Sequence, residues 1–139
     1  MLDLYGGVGT FGITNAGLFK SVWIIDNYKK SIEAASLNIK LNGITNARAM
    51  AINSNQLKKI ELASPLIAIA DPPRTGMDLK TIEELKKLMP GAILYVSCNA
   101  RQMSKDLAKF RQYKIKSAAL FDFFPQTPHI ESMVELVPE

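Results

Sequence analysis

The chain has 139 residues, a net charge of +4 and a hydrophobic content of 47%, which is typical of one globular domain with one core. Its single cysteine excludes an internal disulfide and a cysteine-rich metal site, so we expect a reducing, cytoplasmic setting and no metal centre. The sequence lacks the roughly 18 consecutive apolar residues of a membrane span, and its start, "MLDLYGG", lacks the features of a signal peptide.

Strand and helix patterns alternate along the chain, which predicts a mostly parallel α/β sheet with right-handed crossovers. In "YKKSIEAASLNIKLNG", an apolar side formed by Ile32, Ala35, Ile39 and Leu41 predicts an amphipathic helix. No helix pattern separates the last two strands, so we predict an antiparallel hairpin at one edge. The predicted strands cover residues 1–5, 21–26, 47–52, 65–71, 92–98, 115–124 and 131–137, and the predicted helices cover about 10–18, 28–43, 54–62, 78–88 and 101–111.

The first predicted strand is followed by a glycine-rich turn with the spacing Gly7-x-Gly9-x-x-Gly12. Such a turn, with Asp26 at the end of the second strand to accept ribose hydroxyls, suits NAD and S-adenosylmethionine equally. Asp3 favours S-adenosylmethionine, because a carboxylate repels pyrophosphate but stabilises a sulfonium and an ammonium group. The alternative for Asp3 is a turn or helix-capping residue.

A second group of residues, "DPPR", follows the buried fourth strand. Its two prolines stiffen the loop. Asp71 can accept a hydrogen bond from a ring N–H, and Arg74 can reach phosphate or carboxylate. The alternative is a rigid turn with a capping aspartate.

Cys98 ends the fifth predicted strand and comes directly before a predicted helix. Unpaired N–H groups and the helix dipole stabilise a thiolate at such a position, whereas a structural cysteine would more naturally lie within a strand. Glu131 begins the last strand after a loop fixed by prolines, where a carboxylate can act as a general base. His129, the only histidine, is as consistent with a structural hydrogen bond as with catalysis.

A basic stripe accompanies the helix after Cys98. Arg101, Lys105 and Lys109 are four residues apart and would share one helix face. A solvated face and a phosphate-binding face are equally good interpretations.

Three stretches closely resemble the C-terminal catalytic domain of the RNA (uracil-5-)-methyltransferases, which form 5-methyluridine. They are "LDLYGGVGTFG", "DPPRTGMD" with "YVSCNARQMSKDL", and "LFDFFPQTPHIESMVELV", and their order and spacing also agree with the family. The resemblance covers essentially the whole chain. It implies a single Rossmann-like, class I methyltransferase domain over residues 1–139, with a mostly parallel seven-stranded sheet and a C-terminal antiparallel hairpin.

The resemblance also implies roles for individual residues. Cys98 would add to carbon 6 of a uracil in tRNA or rRNA, and carbon 5 would then take a methyl group from S-adenosylmethionine. Glu131 would remove the carbon-5 proton, and Asp71 would lie against the pyrimidine edge and the donor. Donor contacts are implied for Asp3, Tyr5, Gly7, Gly9, Asp26, Asn53 and Asp71, and substrate contacts for Arg74, Asn99 and His129.

The sequence departs from the family pattern at three positions. Gly6 stands where the family commonly has cysteine, a change that we expect to have little effect. Ala100 stands where proline is usual, which predicts a looser helix start. Asn53 stands where an acidic residue is more usual, which predicts a weaker donor contact.

Family members also have a long N-terminal portion, often with an RNA-binding module, that has no counterpart in this sequence. We therefore expect RNA recognition to require a separate chain or domain. A second interpretation is a non-catalytic or partner-dependent S-adenosylmethionine-binding subunit of a split methyltransferase. A third, a nicotinamide-dependent oxidoreductase, explains the glycines but leaves Asp3, the "DPPR" loop and Cys98 unexplained.

Overall fold

The computed structural model describes residues 1–139 and contains seven strands and four α-helices. The strands are β1 (Leu2–Leu4), β2 (Val22–Asp26), β3 (Ala47–Ala51), β4 (Ile67–Ala70), β5 (Ala92–Ser97), β6 (Tyr113–Phe121) and β7 (Glu131–Pro138). The α-helices are α1 (Thr10–Thr14), α2 (Lys29–Leu41), α3 (Leu79–Leu88) and α4 (Ala100–Leu107). None of these helices is long and apolar enough to cross a bilayer.

The strands form one sheet in the order β3-β2-β1-β4-β5-β7-β6. Strands β1 to β5 are parallel to one another, while β7 is antiparallel to both β5 and β6. The predicted class I methyltransferase sheet and its C-terminal antiparallel hairpin are therefore confirmed.

The two faces of the sheet have separate cores. Side chains of β1, β4 and β5 such as Leu4 and Tyr95 pack against α3 and α4 in the larger core. On the opposite face, Ile24 of β2 and Ile69 of β4 pack with Ile32 of α2 in the smaller core. Both faces of the central strands are thus covered, which explains their continuously apolar sequences.

Several predicted helices are shorter than the sequence pattern suggested. The segment predicted as a helix at 10–18 is α1 followed by a 3₁₀ turn at Ala16–Leu18, and the one at 54–62 is a single 3₁₀ turn at Leu57–Lys59. Helix α4 ends at Leu107 rather than near residue 111. In α2, Leu41 is 72% exposed, because it lies two residues beyond Ile39 and therefore about 200° around the helix.

Part of the smaller core's face is not covered by any helix. Along β7 the side chains alternate: Ser132, Val134 and Leu136 are buried, whereas Met133 and Val137 on the other face are only half-buried. Leu94 and Val96 of β5 are also half-buried. This part of the sheet face is mixed, because Glu135 lies between Met133 and Val137 and pairs with Lys116, while Leu94 packs against the smaller core.

Candidate active site

Three of the predicted residues meet at one edge of the sheet. Asp71 comes directly after β4 and Cys98 directly after β5, so both lie beyond the carboxyl ends of parallel strands. Glu131 begins β7, which runs in the opposite direction, and Ser132 is paired with Ser97 of β5. The antiparallel register therefore brings the start of β7 to the end of β5.

Asp71, Cys98 and Glu131 line a single cavity of about 530 Å³. Apart from these three, its walls are apolar, consisting of Phe11, Val96, Phe121, Phe123 and Met133. Cys98 is half-buried. Such a cavity can hold a flat organic group against one sulfur and two carboxylates.

A second cavity, of about 490 Å³, lies at the opposite edge of the sheet beside Trp23, Arg48 and Glu61. None of the predicted site residues lines it. We therefore place the candidate active site at the first cavity, where the nucleophilic and acidic groups converge.

The protonation of Asp71 depends on its position in this cavity. Partial burial raises the pKa of Asp71, and the negative charge of Glu131 raises it further. The cavity consequently disfavours a second negative charge and favours a ligand group that can donate a hydrogen bond or carry positive charge.

Asp3 lies beneath the glycine-rich turn and is fully buried. Its Oδ2 accepts a hydrogen bond from the N–H of Gly12 at 2.8 Å, whereas its Oδ1 has no partner. Burial raises the pKa of Asp3 to about 6, with smaller contributions from the charges of Asp71 and Asp26 and an opposing effect of the Gly12 hydrogen bond. A buried, unpaired carboxylate oxygen is a suitable acceptor for a cationic ligand group.

Tyr5 follows β1 in an unusual backbone conformation. Its φ of 60° lies in the left-handed region, which residues other than glycine rarely adopt. Its hydroxyl is buried without a hydrogen-bond partner. Strain and an unpaired polar group at the same residue are features that concentrate at binding sites.

The other predicted donor residues surround this turn. Asp26 accepts hydrogen bonds from the N–H groups of Gly7 at 3.0 Å and Tyr28 at 2.8 Å, one on each carboxylate oxygen. Each oxygen keeps a lone pair for a further donor. The N–H of Gly9 is bonded to the Gly6 carbonyl. Asn53 lies two residues beyond β3 and is exposed.

The absence of a side chain at Gly6 has a local cause. A Cβ at this position would lie 2.7 Å from Cγ2 of Ile24 and 3.0 Å from Cγ of Asp3. Gly6, which stands where the resembled family commonly has cysteine, therefore packs closely against the β-branched Ile24 of β2. A larger residue here would have to displace Ile24 or the Asp3 carboxyl.

The loop after Asp71 is fastened to α4 by two side chains. The amide nitrogen of Asn99 donates to the Arg74 carbonyl at 3.0 Å, while its Oδ1 caps α4 by accepting from the N–H of Gln102 at 3.2 Å. The buried Asp106 accepts from the N–H of Met77 at 3.0 Å. The loop that carries Asp71 and the helix that follows Cys98 are thereby held as one unit.

Asp106 is a structural centre that the sequence analysis missed. Besides Met77, its carboxylate accepts from the Tyr95 hydroxyl at 2.8 Å, from Gln102 at 3.2 Å and from Lys109 at 2.9 Å. Burial and the Asp106 hydrogen bond raise the pKa of Tyr95. A sequence signal existed, because an aspartate between Met103 and Phe110 interrupts an apolar stripe at helical spacing.

None of the three predicted substrate residues, Arg74, Asn99 and His129, lines the cavity. Arg74 is exposed and holds the loop through its backbone carbonyl. His129 is exposed in the β6–β7 loop, where its ring makes an edge contact with Phe124 at 6.5 Å between centroids. The predicted basic helix face is wrong at Lys109, which lies two residues beyond the end of α4 and pairs with Asp106. Arg101 and Lys105 are on the helix and exposed.

Comparison with known families gives one match over nearly the whole chain. The family model described as tRNA (uracil-5-)-methyltransferase matches residues 1–138. A tRNA (uracil(54)-C(5))-methyltransferase of Pyrococcus horikoshii is 36% identical over 137 residues, which are 99% of this chain and 32% of that protein. A 23S rRNA (uracil(747)-C(5))-methyltransferase of Xenorhabdus nematophila is 33% identical over 137 residues, which are 99% of this chain and 36% of that protein.

The structural comparison agrees. The crystal structure of a tRNA (uracil-54, C5)-methyltransferase of Pyrococcus abyssi, in complex with S-adenosyl-L-homocysteine, superposes with a TM-score of 0.85 at 34% identity, covering 98% of this chain and 33% of that one. The chain thus spans about a third of the length of the relatives it matches.

Proposed function

This chain belongs to the tRNA (uracil-5-)-methyltransferase family, and we propose that it transfers a methyl group from S-adenosylmethionine to carbon 5 of a uridine in tRNA or rRNA. The observation that carries the proposal is the convergence of Asp71, Cys98 and Glu131 in one largely apolar cavity. Asp71 and Cys98 directly follow β4 and β5, and Glu131 begins β7. Cys98 is the only cysteine of the chain.

The residues around the glycine-rich turn fit S-adenosylmethionine. This donor supplies an electrophilic methyl group on a cationic sulfur and also carries an ammonium group. The unpaired Oδ1 of Asp3 and the unpaired hydroxyl of Tyr5 would bind its polar end, with Gly7 and Gly9 allowing close approach. The free lone pairs of Asp26 would accept the ribose hydroxyls, with Asn53 beside them.

In the reaction we propose, the thiolate of Cys98 forms a bond to carbon 6 of the uracil. The electron pair of the 5,6 double bond moves towards the carbonyl oxygen on carbon 4, which makes carbon 5 nucleophilic. Carbon 5 then takes the methyl group as its bond to the donor's sulfur breaks, and the electron pair of that bond stays on the sulfur as a neutral thioether. Glu131 then accepts the proton from carbon 5. The electron pair left behind re-forms the double bond, and the bond between carbon 6 and the sulfur breaks to release Cys98 as a thiolate.

Asp71 would orient the base in this reaction. Its carboxyl lies at the cavity wall, where it can accept a hydrogen bond from the ring N–H of the uracil. Asn99 and Asp106 keep the Asp71 loop in register with α4 and hence with Cys98. The uridine has to leave its stack to enter the cavity, which costs a few kcal/mol.

The length of the relatives supports dependence on a further domain or chain. Because the chain spans about a third of its relatives' length, we propose that additional polypeptide contributes RNA binding. The second candidate function, a donor-binding subunit that turns over only with its partner, rests on the same difference in length.

The test is formation of 5-methyluridine in tRNA or rRNA incubated with S-adenosylmethionine, measured by mass spectrometry of nucleosides. We expect Cys98→Ala to abolish it and Glu131→Gln to accumulate a methylated protein–RNA adduct, while Ser104→Ala, an exposed change on α4, leaves it intact. Full activity of Cys98→Ala would contradict the proposal. Calorimetric binding of S-adenosylmethionine by the wild type without any turnover would favour the subunit function instead.

A further inference from the structure

An aromatic pair projects from the β6–β7 hairpin at the mouth of the candidate active site. Phe121, the last residue of β6, and Phe123 have parallel rings, with centroids 5.6 Å apart and an angle of 10° between the planes. Both rings line the cavity that holds Cys98. Neither is needed for the hydrophobic core, since both clusters of buried residues exclude them.

The two rings differ in exposure. Phe121 is 37% exposed, whereas Phe123 is 66% exposed. The rings are parallel but offset, since their centroids are 5.6 Å apart. Phe123, the more exposed of the two, therefore leaves much of its ring surface in contact with solvent, which is unfavourable in water.

We propose that Phe121 and Phe123 form a stacking platform for a second nucleobase of the RNA, the neighbour of the uridine whose carbon 5 faces Cys98. This inference rests on the proposed function, because it requires a uridine in the cavity. Aromatic side chains bind unstacked bases through their π-faces, and purines offer the larger face. Every base has a π-face, so the platform accepts any neighbour of the target uridine but modestly favours a purine.

The geometry favours a nucleobase over other occupants. The two rings line the same cavity as Phe11, Val96 and Met133, so a base bound there has the platform beside it. Entry of the target uridine removes its neighbour from the helical stack, and that neighbour needs a replacement surface. A flat ring parallel to Phe123 supplies it without any directional hydrogen bond.

The experiment uses single-stranded oligonucleotides with one central 5-fluorouridine and randomised flanking positions, incubated with the full chain and S-adenosylmethionine. Fluorine at carbon 5 cannot be removed as a proton, so the covalent adduct persists and its RNA can be sequenced. We expect wild type and Phe123→Trp to enrich a purine at one flanking position by roughly threefold. Among the adducts that Phe123→Leu forms, in whatever yield, this enrichment should be lost, because leucine is apolar but has no π-face.

Leu120→Ala is the matched control. Leu120 is also 66% exposed and lies on the same strand as Phe121, but it is paired with Ser132 and faces the other side of the sheet. It should keep the purine preference. An adduct with equal flanking preference in wild type and Phe123→Leu would overturn the inference while leaving the proposed function intact. A change of oligomeric state in Phe123→Leu with no change in flanking preference would also overturn it, and would assign the rings to a protein contact.

The proposed function can fail separately, and a non-covalent measurement then tests the platform on its own. The oligonucleotide carries 2-aminopurine next to uridine, and its fluorescence is followed as the chain is added. Stacking on Phe123 should quench it for wild type and Phe123→Trp but not for Phe123→Leu. Quenching without any adduct would count against the methyltransferase chemistry of the chain alone, whereas absent or equal quenching would count against the platform.

Discussion

The buried carboxylate of Asp106 accepts a hydrogen bond from the backbone N–H of Met77 at 3.0 Å, which joins helix α4 to the loop that begins at Asp71. Gly76 makes this contact possible. Its φ of +80° favours glycine, and a Cβ there would collide with Oδ2 of Asp106 and with the Gln102 side chain. The loop that carries Asp71 and the helix after Cys98 are therefore held together by Asp106, a residue that does not line the candidate cavity.

We expect Asp106→Ala to lower the free energy of unfolding by about 2–4 kcal/mol. The Met77 N–H and the Tyr95 hydroxyl, whose hydrogen bonds to Asp106 are buried, would lose their acceptor, and each buried unpaired group costs about 1–3 kcal/mol. Urea unfolding measures the change. Lys105→Ala, an exposed change on the same helix, is the control and should stay within about 0.5 kcal/mol. Equal effects of the two substitutions would show that the carboxylate is not a structural centre.

Asn99 allows the helix cap and the loop contact to be separated. Asn99→Asp keeps the side-chain oxygen that accepts from Gln102 but removes the donor to the Arg74 carbonyl, whereas Asn99→Ala removes both. We expect only Asn99→Ala to lose the cap's stabilisation of about 1 kcal/mol, and we expect both variants to reduce methyl transfer because the Asp71 loop is freed. Thermal unfolding and turnover are the two measurements. An Asn99→Asp variant with wild-type turnover would assign Asn99 to helix capping alone.

Replacing Ala100 by proline should stabilise the protein, in contrast to the substitutions at Asp106 and Asn99. Ala100 is the first residue of α4 and follows an Asn99 with extended backbone, at φ −140° and ψ 84°. Proline suits such a first helical position, so Ala100→Pro should raise the free energy of unfolding by roughly 0.5–1 kcal/mol. Ala34→Pro, within helix α2, is the matched control and should cost about 3 kcal/mol. A destabilised Ala100→Pro would mean that the N–H of residue 100 has a partner.

Asp3 makes stability depend on pH. Its pKa is raised from 3.8 to about 6, mainly by burial. Below about pH 4 the carboxyl is protonated in both the folded and the unfolded chain, so the folded state bears no ionisation cost. As the pH rises towards 6, the unfolded chain ionises first and stability falls, and above about pH 6 the loss is constant, on the order of 3 kcal/mol.

Asp3→Asn removes this titration and can keep the hydrogen bond from Gly12. We therefore expect the stability of the variant relative to wild type to increase between about pH 4 and pH 6 and to level off above that range. Urea unfolding at several pH values measures the difference. A difference that does not change with pH would contradict burial as the main cause of the raised pKa.

Much of the fold was predictable because strand and helix periods alternate along the sequence. The apolar run before Asp71 could only be a covered strand, and the lack of a helix between the last two strands required the hairpin. Helix ends were less predictable. The segment 54–62 forms only one 3₁₀ turn, although Leu57 and Ile60 at helical spacing are buried in the larger core. Apolar spacing therefore predicted the buried side chains but not the length of the helix.

The candidate site was also predictable only in part. Sequence placed Asp71, Cys98 and Glu131 near strand ends, and parallel topology brings such ends together. Asp106 and the Phe121–Phe123 pair could not be assigned from sequence, because their roles depend on contacts between elements distant in the chain. Asn99 illustrates both cases: its position directly after Cys98 was apparent from sequence, but its hydrogen bond to the Arg74 carbonyl was not.

The most direct test of the account is peptide mapping by mass spectrometry after incubation of the chain with S-adenosylmethionine and 5-fluorouridine-containing RNA. Asp71, Cys98 and Glu131 share one cavity, so a covalent bond should form at the sulfur and persist because Glu131 has no proton to remove. The account predicts one modified peptide, that containing Cys98, with the mass of a methylated fluorouridine adduct, and no adduct in Cys98→Ala. An adduct on any other residue, or 5-methyluridine formed on ordinary RNA by Cys98→Ala, would contradict it.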